Sequence, residues 1–120
     1  DLRQPVFIYD FPASQAQLAK VKIDEQGRQV AARFELYAGG LELANGYDEL
    51  READTLRHRF KQDNQQRIKL DKPEMPIDQN LLAAMKTGFP ACSGVALGLD
   101  RLLMLLMNQK EINQALFDLD

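Results

Sequence analysis

Apolar residues recur along this chain with two different periods. Near the start, "PVFIYDFP" sets β-branched and aromatic residues between prolines, which predicts a short buried strand over Val6 to Tyr9 that Pro12 ends. "ASQAQLAK" fits a brief helical turn, and "DEQG" at Asp24 to Gly27 is a turn signal. In "ARFELYAGGLELANGYDEL", residues 32–50, apolar and polar positions alternate about Gly39-Gly40, a connection whose two positions both accept positive φ without a Cβ clash. This predicts a hairpin with Tyr37 opposite Glu42, Glu35 opposite Ala44 and Arg33 opposite Gly46. Arg33, Glu35, Tyr37, Glu42 and Ala44 then share one face, while Phe34, Leu36, Leu41 and Leu43 share the other and form the core.

The period then lengthens. Asp54 caps a predicted helix to about Leu70, with Leu56 and Phe60 on its buried side and "KQDNQQR" mostly on its outer one. "KPEMP" is a loop, and Asp78 is the expected N-cap of "QNLLAAMKT", which ends with Gly88 at C′ and Pro90 just after. "GVALGLD" alternates as a strand, and "RLLMLLMNQ" is a short, almost wholly apolar helix expected to be buried, with Met104 and Met107 as core filler. Early strands, two helices and a strand feeding a helix, without regular βαβ alternation, predict an α+β fold with an antiparallel sheet.

Composition narrows the function. With 120 residues, 45% of them hydrophobic, the chain is one domain or part of one with a single modest core. The 15 Lys and Arg against 18 Asp and Glu give a formal net charge of -3, so no global positive field draws nucleic acid or an anionic membrane. No apolar run of about 18 residues and no charged-then-apolar N-terminus argues for a membrane span or signal peptide, and the cytoplasm is the expected location. The single cysteine, Cys92, cannot form an internal disulfide and reads as an inert, partly buried thiol. His58 and the charged run from Arg57 to Arg67 read as a solvated helix face.

Two segments carry candidate chemistry. On the predicted hairpin, Glu35 and Glu42 are diagonal cross-strand neighbours roughly 7 to 8 Å apart at Cβ, a separation that two carboxylates can close onto one hard cation such as Mg²⁺ carrying substrate phosphates. The same spacing fits the solvent face of an antiparallel sheet, with Arg33 paired to Glu35 or a neighbour. Asn45 lies on the opposite parity and joins the acids only if Asn45-Gly46 bends or bulges the strand. In "GVALGLDR", Gly94, Ala96 and Gly98 share one strand face, which leaves room either for a ligand against the backbone or for a tightly packed helix. Arg101 follows at the strand-to-helix junction, where a fixed guanidinium can hold phosphate oxygens or pair with an acid such as Asp100.

Together, "RFELY", "GGLELANGYDEL", Arg59-Phe60, "DQNLLAAM" and "GFPACSGVALGLDRLLML" resemble the class II lysyl-tRNA synthetase family, and within it the branch of elongation factor P lysine ligases. The resemblance spans nearly the whole chain, and a small-residue strand ending in arginine is similar to the third signature motif of class II synthetases. It implies a class II synthetase-like antiparallel sheet flanked by helices. It also implies activation of lysine or (R)-β-lysine by ATP as an aminoacyl-adenylate, then transfer to a lysine of elongation factor P in place of tRNA. By the same resemblance, Glu35 and Glu42 hold Mg²⁺ and the ATP phosphates, with Glu42 instead or also facing the amino acid. Leu36 lines the nucleotide site, Gly98 contacts the nucleotide through its backbone, and Arg101 meets the γ-phosphate. Asn45 and Glu49 recognise the amino acid, Glu49 through its ammonium. Ala96 stands where synthetases usually have glycine, which suits the ligase branch and a β-lysine pocket.

The first two class II motifs are not found within residues 1–120. Residues 1–120 are therefore expected to be the C-terminal portion of a catalytic domain, inactive alone, within a full-length homodimer. The alternatives are the corresponding part of a lysyl-tRNA synthetase charging tRNA, or a non-catalytic synthetase-like module that binds nucleotide or a partner.

Overall fold

The computed structural model describes residues 4–115. Its elements are β1 (Val6–Pro12), β2 (Val21–Ile23), β3 (Gln29–Ala38), β4 (Leu41–Asp48), α1 (Ala53–Lys69), α2 (Gln79–Lys86), β5 (Ser93–Leu97) and α3 (Leu99–Leu106). The strands form one antiparallel sheet in the order β1-β3-β4-β5, and β2 pairs with the first residues of β3. This is the α+β architecture expected from the sequence.

Turn chemistry sets the connections. Gly39 and Gly40 have φ of 58° and 82°, so the β3–β4 hairpin closes through the expected two residues. At the β2–β3 turn the Asp24 carboxylate accepts from the main-chain N–H groups of Gln26 (2.9 Å) and Arg28 (2.8 Å) and from Arg28 Nε (2.7 Å). The Arg28 main-chain bond does most to hold the Asp24 carboxyl below its ordinary pKa. The sequence shows this turn but not the three-residue β2 that enters it. Strand β1 runs on to Pro12, past the expected end at Tyr9, because its register slips between Tyr9 and Phe11, where Asp10 takes φ of 57°.

The register of β3 and β4 differs from simple alternation. Tyr37 faces Glu42 as expected, but Leu36 faces Ala44 and Glu35 faces Asn45, so Leu43 is an extra residue on β4. This bulge turns Ala44 away from the acidic face and brings Asn45 onto it. The distortion falls two residues before Asn45-Gly46. Gly46 serves packing instead, since an ideal Cβ there would lie 2.7 Å from Phe34 Cζ and 2.9 Å from the Gly94 carbonyl oxygen. Only glycine leaves room for the Phe34 ring.

The buried cluster lies under the helices. Leu50, Ala53, Leu56, Leu82 and Met85 form it, with Phe60 and Ile77 packed against them. Leu82 is fully buried, and truncating such a leucine to alanine costs about 2–5 kcal/mol. Asp78 caps α2 as expected, accepting from the N–H groups of Asn80 (2.9 Å) and Leu81 (3.0 Å), and Gly88 at C′ has φ of 117°. Helix α1 starts at Ala53, with Asp54 in its first turn, not at its cap. Arg59 is not part of a solvated face. Its Nη1 donates to the carbonyls of Gln17 (2.6 Å) and Ala19 (2.8 Å), and burial draws its pKa below the usual arginine value. His58 is exposed, as expected.

The apolar face of the hairpin is not the centre of this core. Phe34 and Leu36 are half-buried, and their β1 partners Tyr9 and Phe7 are 70% and 60% exposed. On β5, Val95 and Leu97 are likewise open. Helix α3 buries Met104 alone, and Leu106 and the following Met107 are exposed, so the expectation of a buried last helix with Met107 in the core fails. Cys92 is also exposed, not partly buried. Among the described residues no helix is long and apolar enough to cross a membrane.

Candidate functional site

The bulged end of β4, the end of β5 and the first turn of α3 meet at one pocket of about 250 Å³, lined by Glu42, Asn45, Ala96, Gly98, Asp100 and Arg101 among others. The strand ends at Leu97, earlier than the sequence pattern implies, because Gly98 is the N-cap of α3. Its N–H donates to the carbonyl of the bulged Leu43 at 2.8 Å, which fastens the start of α3 to the hairpin. Arg101 is thereby in the first helical turn. Its Nη1 donates to the Glu42 carbonyl at 2.8 Å and lies 3.8 Å from Glu42 Oε2. Asn45 Nδ2 donates to Glu42 Oε1 at 3.1 Å, a contact that the Leu43 bulge makes possible.

Glu35 is on the same sheet face, directly across from Asn45, but its carboxylate is already engaged. Arg33 Nη2 pairs with Oε1, and the Tyr37 hydroxyl donates to Oε2 at 2.7 Å. That hydrogen bond is the largest cause of a raised Tyr37 pKa, since the phenol loses a charged partner when it ionises. Arg33 is 6% exposed; its guanidinium carbon lies 4.4 Å from the Phe11 ring centroid and 5.5 Å from that of Tyr47, and Nη1 donates to the Gln15 carbonyl at 3.0 Å. The pairing of Arg33 with Glu35 was one of the two readings open from the sequence.

Of the other expected site residues, Leu36 points its side chain to the opposite face, across from Phe7 and Ala44, so only its main chain faces the acids. Glu49 lies just beyond β4, where its N–H donates to the Cys92 carbonyl at 3.1 Å. It lines a second, mostly apolar pocket of about 190 Å³ with Leu18, Leu81 and Phe89 among others. Sequence reasoning missed Tyr37 and Asp100 as site residues. Their signals were the i+2 spacing of Tyr37 from Glu35 and the position of Asp100 beside Arg101.

The donor set can be tested against a metal. Among the described residues no group of three or more His, Cys, Asp or Glu side chains is arranged to hold an ion. A dedicated protein cage is thus absent there, whereas Mg²⁺ bound through one carboxylate plus substrate phosphates fits Glu42; Glu35 could add only the lone pairs left beside Arg33 and Tyr37. Nothing in the protein itself demands glycine at position 98: its φ is -77°, and an added Cβ would meet no atom closer than 3.7 Å. The space before it belongs to the pocket.

The antiparallel sheet, whose last strand feeds the helix that carries Arg101 across from the carboxylate-bearing hairpin, is consistent with a class II synthetase-like fold. The family model for class II tRNA synthetases (D, K and N) matches residues 1–117, and the chain belongs to that family. Among curated proteins it is 51% identical over 113 residues to the elongation factor P--(R)-beta-lysine ligase of Pectobacterium carotovorum subsp. carotovorum (strain PC1), covering 94% of this chain and 34% of that protein. The ligases of the same name from Yersinia pestis (strain Pestoides F) and Yersinia pseudotuberculosis serotype O:1b (strain IP 31758) match with the same identity and the same coverage, 51% over 94% of this chain and 34% of theirs. The chain thus spans about a third of the length of these relatives.

Proposed function

We propose that these 120 residues form the C-terminal part of the catalytic domain of an ATP-dependent ligase. The enzyme activates a lysine-type amino acid, (R)-β-lysine in the favoured reading, as an aminoacyl-adenylate and transfers it to a lysine of elongation factor P. The observation that carries the proposal is the convergence of Glu42, Asn45, Ala96, Gly98 and Arg101 on one pocket in a chain 51% identical to ligases named for that reaction.

In this reading the nucleotide lies against Gly98 and the main chain of Leu36, and Arg101 holds the γ-phosphate. Arg101 is oriented by its bond to the Glu42 carbonyl, so its charge is in position before the substrate arrives. Glu42 would hold Mg²⁺, with Glu35 contributing what its bonds to Arg33 and Tyr37 leave free, and the ion would neutralise phosphate charge. Asn45 and Glu49 take the amino acid, whose carboxylate attacks the α-phosphorus as pyrophosphate leaves. Ala96 narrows the amino-acid pocket by one methyl group. The reaction belongs in the cytoplasm, with a homodimer as the working form.

The family model also covers tRNA-charging enzymes, which supports a second reading as the same part of a lysyl-tRNA synthetase. One experiment separates them. The full-length enzyme is incubated with ATP, Mg²⁺ and either (R)-β-lysine or α-lysine, with elongation factor P and tRNA offered as acceptors. A mass increase on elongation factor P, larger with (R)-β-lysine, is the expected result; charging of tRNA alone would move the assignment to the synthetase.

A further inference from the structure

Gly94 is opposite Tyr47 in the β4–β5 ladder, two residues before Ala96 on the same strand face. An ideal Cβ on Gly94 would lie 2.5 Å from Glu49 Oε1 and 3.6 Å from Glu49 Cδ. The Glu49 carboxylate therefore occupies the space where a side chain at position 94 would begin. That space opens on the face shared by Ala96 and Asn45, since a Cβ at 94 points the same way as the Cβ of Ala96. The Glu49 main chain is fixed from two sides, by its N–H bond to the Cys92 carbonyl at 3.1 Å and by an antiparallel bridge to Ala19. A methyl group at position 94 could be relieved only by swinging the carboxylate away.

We infer that Gly94 is a positioning residue: by having no side chain it admits the Glu49 carboxylate to the sheet face and so fixes where a substrate ammonium binds. This rests on the reading of Glu49 as the group that receives that ammonium. The displaced atoms are the tip of a flexible side chain, so recognition and stability come apart at this position. Gly94→Ala should leave folding intact while moving the charge.

The test uses amino-acid-dependent ATP–pyrophosphate exchange by the full-length enzyme, with thermal denaturation alongside. Gly94→Ala is expected to raise KM for (R)-β-lysine about tenfold or more, the loss of a charge-assisted contact, with KM for ATP within about twofold of the parent and Tm unchanged. Adding Glu49→Asp to Gly94→Ala shortens the acid so that it clears the methyl, and the double variant should recover part of the affinity, a non-additive result that independent sites do not give. Additive losses, an unchanged KM in Gly94→Ala, or a variant that fails to fold would overturn the inference. Glu49→Gln distinguishes the two levels. If it leaves KM for the amino acid unchanged, the reading of Glu49 fails; if it raises KM while Gly94→Ala does not, only the positioning role fails.

Discussion

Glu35 and Glu42 share one face of one hairpin, each followed by leucine in the sequence, yet their surroundings differ. The Glu35 side chain is 13% exposed and held at both oxygens, by Arg33 and by Tyr37. That of Glu42 is 31% exposed and held loosely, by Asn45 at 3.1 Å and by Arg101 at 3.8 Å. Equal spacing does not make equal ligands. Glu35 is a fixed carboxylate whose charge is largely compensated inside the protein, and Glu42 is the one whose charge faces the open pocket.

The largest expected effect falls on the open side. Glu42→Ala in the full-length enzyme should lower ATP–pyrophosphate exchange by about a hundredfold or more, the scale on which one oriented electrostatic group acts in catalysis. Its thermal stability should stay near that of the parent. Arg33→Met sharpens the other side of the comparison. It leaves Glu35 without its cation in a nearly buried setting, and urea denaturation should show a loss of about 3 kcal/mol. Equal stability losses at positions 33 and 42 would erase the distinction between the two acids.

Arg101→Lys is expected to have a smaller effect, raising KM for ATP about tenfold, because an ammonium cannot reproduce two parallel bonds to phosphate. Tyr37→Phe should have the least effect at neutral pH. The folded pKa of Tyr37 is raised above its ordinary value of 10.0, so its contribution to stability is complete below that pH and is lost as pH rises through the folded value. Denaturation measured on either side of pH 10 should therefore show alkaline sensitivity in the parent that Tyr37→Phe reduces.

Much of this was legible in the chain. Gly39-Gly40 marked the hairpin, Asp78 and Gly88 marked both ends of α2, and "GVALGLDR" marked the strand and its arginine. The bulge was half legible: the alternation breaks at Leu43-Ala44 and leaves polar Asn45 on the apolar parity, but the Asn45-Gly46 pair drew attention to the wrong place, and only pairing against β3 locates the extra residue at Leu43. The end of β5 was misplaced because Leu97, Gly98 and Leu99 continue a strand pattern, while Gly98 in fact caps a helix. Periodicity also told which apolar residues share a face but not what lies over them, so the exposure of Tyr9, Val95 and Leu106 had no signal. The engagement of Glu35 by Tyr37 was half visible, as a shared face without a partner assigned.

The decisive measurement is a crystal structure of the full-length enzyme with a non-hydrolysable ATP analogue and Mn²⁺ in place of Mg²⁺, with the metal located by its anomalous signal. The expected result is metal beside the Glu42 carboxylate, with Arg101 on the γ-phosphate and the nucleotide backbone against Gly98. Metal and nucleotide bound elsewhere, with Glu42 still in contact with Arg101 and Asn45 alone, would contradict it.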